Sequence, residues 1–537
     1  MKKLLIILLL PALISCGNDQ KSEEVENQSK TDSLEGENED KFKVLDSRNI
    51  SQDSLWAPFN SDLAQFSGEK YNELKPLIFD RNIPEIQSAI KNGKLTYEEL
   101  SLFYLYRIKQ FDRENELSLN SVISLNPNLL AEARKKDKEG AAESHPIYGI
   151  PVLLKDNINT ENMATTAGAL ALENNETEDA FIVQKLKDNG ALILGKANLS
   201  EWAYFFCEDC PSGYSAIGGQ TLNPYGRKIF DTGGSSSGSA VAVAANLAPV
   251  AVGSETSGSI LSPSSQNSVV GLKPTIGNLS RGGIVPISSY LDTPGPITKS
   301  VIDNAILYSA MTGEDTEDAA SVKVKNFNSN LENVSMKGKR FGAFKGLMQD
   351  SLYSNAVNDL KDLGAEIVEF KAEEVQLENF LRLLSLDMKK DLPEYFEKFG
   401  GETGFTSVGD IVKFNTEDST ERMPYGQSLF IGIVEDSADN ATLDSIKSEL
   451  SVKGKMYFNA PMKEHNLDGI LSINNYHAGF AAVAHYPAIT VPMGYDEEGA
   501  PKGLTFFAKT SEENKLYQWA LAFEQATNRR RSPENYE

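Results

Sequence analysis

Residues 231–260 read DTGGSSSGSAVAVAANLAPVAVGSETSGSI. SAVAVAANL (239–247) reads as a small-residue helix and APVAVG (248–253) as the buried strand that follows it. The pattern continues outward. IYGIPVLLKDNI (147–158) is a near-continuous apolar run of the kind a fully buried strand needs, and it ends at Lys155. FIVQKLKDNGALILGKANLSEWA (181–203) reads helix, glycine stop, strand, loop. LDGILSI (467–473) and AITVPMGY (488–495) are strand-like, and NKLYQWALAFEQATN (514–528) is a closing helix. Alternating helices and strands define an α/β class. In 83–112, Gly93 ends one helix and Thr96 with Glu99 opens the next as a capping box. Residues 315–455 are charged, less regular and mostly helical in pattern.

The 537 residues are 40% hydrophobic with a formal net charge of −24, which suits a large core and argues against nucleic acid as partner. MKKLLIILLLPALISCGN opens with Lys2 and Lys3 ahead of an apolar stretch too short to span a bilayer, which takes about 20 residues. Leu13-Ile14-Ser15-Cys16 is similar to a bacterial lipobox. It predicts a signal peptide over 1–15, a lipid on Cys16 as membrane anchor, and a domain in the bacterial cell envelope. Residues 16–45 are polar and acidic and read as a disordered tether; the catalytic domain is expected over 75–533. Of the remaining cysteines, Cys207 and Cys210 form a CEDC pair. In an exported chain that pair favours a local disulfide; a redox motif lacks its usual context, and zinc would need two more ligands where only His145, His465, His477 and His485 exist.

Two serine chemistries compete on the residues alone. Gly234-Ser235-Ser236-Ser237-Gly238 fits G-x-S-x-G, which would make Ser236 a nucleophile. That elbow needs a preceding strand, and NPYGRKIFDT is turn-rich instead. The other centre is SETSGSI (254–260), a loop at a strand's C-terminal end whose successive N–H groups can form an oxyanion nest, with a serine to attack a carbonyl held there. With histidine scarce, Lys155 is a candidate base. A free lysine titrates near 10.4, so neutrality at pH 7–8 needs burial to pull it down by about 3 pH units, which costs about 4 kcal/mol.

GGSSSGSA, GSETSGSI and VVGLKPT (269–275), in that order, with GIPVLLKDNI, TTAGALAL (165–172), LILGKANLSEWA, SRGGIVP (280–286), DTPGPITKSVIDNA (292–305) and HYPAITVPMGY, resemble the amidase signature family, nearest its peptide-amidase branch. The resemblance is strong over 80–310, good over 465–530 and poor over 315–455. It implies a large mixed β-sheet sandwiched by helices in one catalytic domain. It implies a Ser–cis-Ser–Lys triad: Ser259 as nucleophile, Ser235 as the bridging serine behind a cis peptide, Lys155 as base. The backbone of Thr256, Ser257, Gly258 and Ser259 would form the oxyanion hole. The reaction implied is hydrolysis of small carboxylic amides, such as C-terminal peptide amides, without metal or cofactor. Many members have Gly where Ser257 stands and Arg where Leu261 stands; peptide amidases lack both. The alternative is an inactive surface binding protein on the same fold.

Overall fold

In the computed structural model, which describes residues 42–113, 115–140, 145–324, 327, 329, 331–332 and 334–537, the apolar runs become the middle of an eleven-stranded sheet. Cys16, the signal segment and nearly all of the tether lie outside the described residues. In chain order the strands are β1 (Val122–Leu125), β2 (Pro151–Lys155), β3 (Leu192–Ala197), β4 (Tyr214–Ser215), β5 (Gly219–Gln220), β6 (Val250–Glu255), β7 (Val270–Lys273), β8 (Thr293–Thr298), β9 (Arg340–Phe344), β10 (Glu366–Phe370), β11 (Gly469–Ile473), β12 (Ala488–Tyr495) and β13 (Pro501–Phe507). The sheet order is β1-β3-β2-β6-β8-β7-β12-β13-β11-β9-β10, with β4 and β5 a separate ribbon. It is mixed: β3-β2-β6 and β11-β9-β10 run parallel, and β6 through β11 pair antiparallel.

A parallel strand covered on both faces needs apolar residues at successive positions. Val152, Leu153 and Leu154 of β2 and Val250, Ala251 and Val252 of β6 meet that need, and all are buried. The helix Ser237–Ala244, wholly buried, packs against β2, β3, β6 and β8. Its small side chains allow the close approach. A Cβ on Gly238 would lie 2.4 Å from Ser121 O and 2.5 Å from Asn198 O, both backbone atoms that cannot move aside.

The helices Ile83–Lys91 and Tyr97–Phe111 carry capping boxes at Asn82–Glu85 and Thr96–Glu99. Arg107 of the second helix is fully buried and donates to the carbonyls of Ala245, Asn246 and Tyr536. It ties the N-terminal helices to the turn before β6 and to the C-terminus. The compact unit begins at Lys43, upstream of the expected boundary at 75. Helices Gln52–Trp56, Asn60–Gln65 and Gly68–Ile78 bury Trp56, Leu63, Tyr71 and Leu74.

Within 315–455 two strands sit where the pattern reads helix. β9 and β10 are RFGAF and EIVEF at the sheet's end, and the exposed Glu366 and Glu369 of β10 mask its short apolar alternation. β8 holds Pro294 and Pro296, residues that argue against an interior strand; β7 pairs with it only at Ile297 and Thr298, beyond both prolines. The helices expected in this region are Ser351–Asp362, Phe380–Lys398, Val408–Glu417, Ser419–Arg422, Ser428–Glu435 and Asn440–Glu464, whereas the described residues of 315–339 form none. Leu383, Phe430, Ile433, Leu443 and Leu450 from its helices form one cluster with Trp202, Phe205, Phe206, Cys207 and Cys210. No helix among the described residues is long and apolar enough to cross a membrane.

Candidate active site

Lys155, the last residue of β2, is fully buried. Its Nζ donates to Ser235 Oγ at 2.8 Å, Ser254 Oγ at 2.9 Å and Ser254 O at 3.1 Å. Asn157 Nδ2 donates to the same Ser254 Oγ at 2.9 Å. Burial disfavours the ammonium and brings its pKa down to about 7, against upward pulls from the Asp292 and Glu255 carboxylates. The partners are hydroxyls and a carbonyl, not a carboxylate in contact, so nothing locks the lysine in its charged form.

The four crowded serines separate into different jobs. The Gly234–Ser235 peptide bond is cis, and Ser235 O accepts from Ser200 N at 3.0 Å. Ser236 Oγ donates to Ser254 O at 3.1 Å and accepts from Ser254 N at 3.2 Å, pinning the end of β6. Ser237 Oγ donates to Gly233 O at 2.7 Å and Ser239 Oγ to Val252 O at 3.2 Å. The glycines give room rather than flexibility. A Cβ on Gly234 would stand 2.5 Å from Ser200 Oγ, and one on Gly233 would stand 2.7 Å from Pro263 N, at a φ of +63°. The nucleophile-elbow reading fails here. Ser236 is fully buried in structural bonds, and no strand leads into it. His477 bonds Ser472 and stacks on Phe344, and His485 packs on Tyr290; no histidine meets Ser236 among the described residues.

After β6 the chain turns sharply. Gly258 has a φ of +84°, and a Cβ there would meet Asn475 Nδ2 at 2.8 Å. Glu255 Oε2 accepts from Ile260 N (2.8 Å) and Leu261 N (3.0 Å), closing the loop on itself. The N–H groups of Ser257, Gly258 and Ser259 donate to no protein acceptor among the described residues, which leaves them available to an oxyanion. Ser236 N donates to Ser259 O at 3.2 Å, which sets Ser259 beside the cis turn. The structure therefore joins Lys155 and Ser235 directly and brings Ser259 alongside through its backbone. Ser257 faces Gly479 and Leu377: a Cβ on Gly479 would lie 3.8 Å from Ser257 Oγ and 3.4 Å from Leu377 Cδ1.

Sequence reasoning missed Ser254, Asn157 and Asp292. Thr256 Oγ1 donates to Asp292 Oδ1 at 2.5 Å, while Asp292 Oδ2 accepts from Ile287 N (2.9 Å) and Ser288 N (3.0 Å). Burial raises the Asp292 carboxyl to about 6. Its only signal is its place at the head of DTPGP, a motif that names no role. Cys207 and Cys210 are joined as a disulfide.

With this geometry in view, the comparisons are consistent. A family model described as "Amidase" matches residues 100–447. A probable amidase of Arabidopsis thaliana is 36% identical over 482 residues, covering 85% of this chain and 92% of that one. The crystal structure of an amidase family protein from Bacillus anthracis superposes with a TM-score of 0.86 at 37% identity, covering 91% of this chain and 99% of that one. The native peptide amidase from Stenotrophomonas maltophilia gives a TM-score of 0.80 at 38% identity, covering 85% and 98%. The chain belongs to the amidase signature family and is a hydrolase of amides. The family match runs through most of 315–455, the region whose motifs resemble the family poorly, and stops before 465–530.

Ser254 is the test of the lysine's seat. Ser254→Ala removes one Nζ partner and the Asn157 tether, and is expected to lower kcat/KM about a hundredfold with the protein still folded. Steady-state kinetics beside circular dichroism checks this; near wild-type activity would show that Ser254 is not needed to seat Lys155.

Proposed function

We propose that the chain hydrolyses linear carboxylic amides, C-terminal peptide amides among them, through an acyl-enzyme on Ser259. The observation that carries this reading is the buried Lys155 Nζ, 2.8 Å from Ser235 Oγ and brought down to about 7. Neutral Lys155 takes the Ser235 hydroxyl proton as Ser235 takes that of Ser259. Ser259 Oγ then forms a bond to the amide carbonyl carbon, and the oxyanion is received by the N–H groups of the 256–259 loop. The C–N bond breaks as the relay returns a proton to the leaving nitrogen. Water, deprotonated along the same path, releases the acid and restores Ser259. Similarity to the peptide amidase from Stenotrophomonas maltophilia supports peptide amides as substrates.

The reading extends to location. The basic start, short apolar segment and LISC sequence support an exported lipoprotein anchored through Cys16 in the bacterial cell envelope. A Cys207–Cys210 disulfide suits an oxidising compartment.

Three outcomes test these statements. Lys155 acts as base only when neutral, and the neutral fraction grows as pH rises through its pKa. The rate kcat/KM should therefore climb through about pH 7 to a plateau, standing near a tenth of plateau at about pH 6. Ser259→Ala should cost roughly ten-thousandfold or more at every pH; full activity in that variant would refute the mechanism. In bacteria expressing the full chain, labelled fatty acid should be incorporated into wild type and not into Cys16→Ala. Labelling of neither would remove the lipoprotein reading.

A further inference from the structure

A cavity of about 450 Å³ opens beside the lysine's partners, and the proton relay makes no use of it. Asn157, Thr256 and Asp292 border it on the sheet side, and Asp391 and Glu394 on the helix Phe380–Lys398. Its size falls among small-molecule sites, roughly 300–1,000 Å³. Thr256 belongs to both this wall and the oxyanion loop.

Three residues that line the cavity carry buried polar atoms without partners among the described residues: Asn157 Oδ1, Asp391 Oδ1 and Arg281 Nη1. Asn157 is 2% exposed and Asp391 4%. The remaining atoms of each group are committed. Asn157 Nδ2 donates to Ser254 Oγ, Ser289 N donates to Asp391 Oδ2 at 2.6 Å, and Arg281 Nε donates to Asp318 Oδ2 at 3.0 Å. Lys390 Nζ stands 4.0 Å from Asp391 Oδ1, outside hydrogen-bond reach. Buried acceptors in folded proteins are almost always paired, so two unpaired ones, contributed by the sheet side and the helix side of one cavity, call for a donor.

Charge points the same way. Arg281 pairs with Asp318 and its guanidinium also attracts Asp292 and Asp391, yet five carboxylates (Asp292, Asp318, Asp391, Glu317 and Glu394) still face three cations (Arg281, Lys390 and Lys398) on the lining. Asp387, behind Asp391, has Lys447 at 2.6 Å. Burial and the nearby Asp387 charge hold the Asp391 carboxyl above the usual range, and Asp391 in turn raises Asp292. A small cation with N–H donors would satisfy both acceptors and relieve this crowding.

Building on the amidase reading, we propose that this cavity is an ammonium subsite for the substrate. Asp391 and Asn157 receive a free amino group while the amide carbonyl sits at the 256–259 loop. The preferred substrates are then amides of amino acids, or of very short peptides with a free amino terminus.

The test compares leucinamide, N-acetyl-leucinamide and 4-methylpentanamide, which share a side chain and differ at the amine. Wild type is expected to favour leucinamide over either neutral amide by about tenfold or more in kcat/KM. Asp391→Asn should bring that ratio close to one, a readout that a general loss of folded protein does not move. Equal or better cleavage of N-acetyl-leucinamide by wild type, or a ratio unchanged in Asp391→Asn, overturns the subsite and leaves amide hydrolysis standing. Binding of leucinol, an amine without an amide, is measured in parallel by calorimetry. Saturable binding to wild type, weakened about tenfold or more in Asp391→Asn, supports the subsite even if none of the three amides is cleaved. That pattern would instead count against the amidase reading. No leucinol binding to wild type counts against the subsite.

Discussion

The site depends on one buried side chain, the Lys155 ammonium at the end of β2, which burial keeps near the boundary between charged and neutral. A lysine in this position needs partners that bind either form. It has them in two serine hydroxyls and a carbonyl, with carboxylates near but not touching. Each partner is fixed by a different piece of the fold. Ser254 is held at the end of β6 by Ser236, and Ser235 by the cis turn and Ser200 N. The buried small-residue helix then places that turn against the sheet.

The loop after β6 is joined to the lysine by the same few groups. Glu255 and Asp292 are the carboxylates that pull the Lys155 pKa upward, and they also shape the loop. Glu255 closes it onto Ile260 and Leu261, and Asp292 takes the hydroxyl of Thr256 and two N–H groups of the 287–288 turn. Ser288 Oγ in turn donates to Asp387 of the helix Phe380–Lys398. The helical layer within 315–455 is thus coupled to the loop after β6 through hydrogen bonds, and a change in that layer can reach the loop without touching it.

Much of this was legible in the sequence because its signals are local. Apolar runs mark β2, β3 and β6, capping boxes mark two helices, and the ordered motifs single out Lys155 and Ser235, which the fold joins by a hydrogen bond, together with Ser259. What the sequence could not supply is non-local. Ser254 matters because the pairing of β6 with β2 brings it to Lys155 and to Asn157, and nothing in its own neighbourhood says so. β8 was hidden by its prolines and β10 by its charges. The glycines before Ser235 are, in the fold, places where Ser200 and Pro263 leave no space for a side chain.

The account stands on the protonation state of Lys155, which can be observed without a substrate. Lysine labelled with carbon-13 at the ε position is followed by NMR against pH, and the Lys155 signal is assigned by its loss in Lys155→Met. The expected midpoint is about 7. A midpoint near 10, as in a free lysine, would show that the buried ammonium stays charged at working pH and would contradict its role as base.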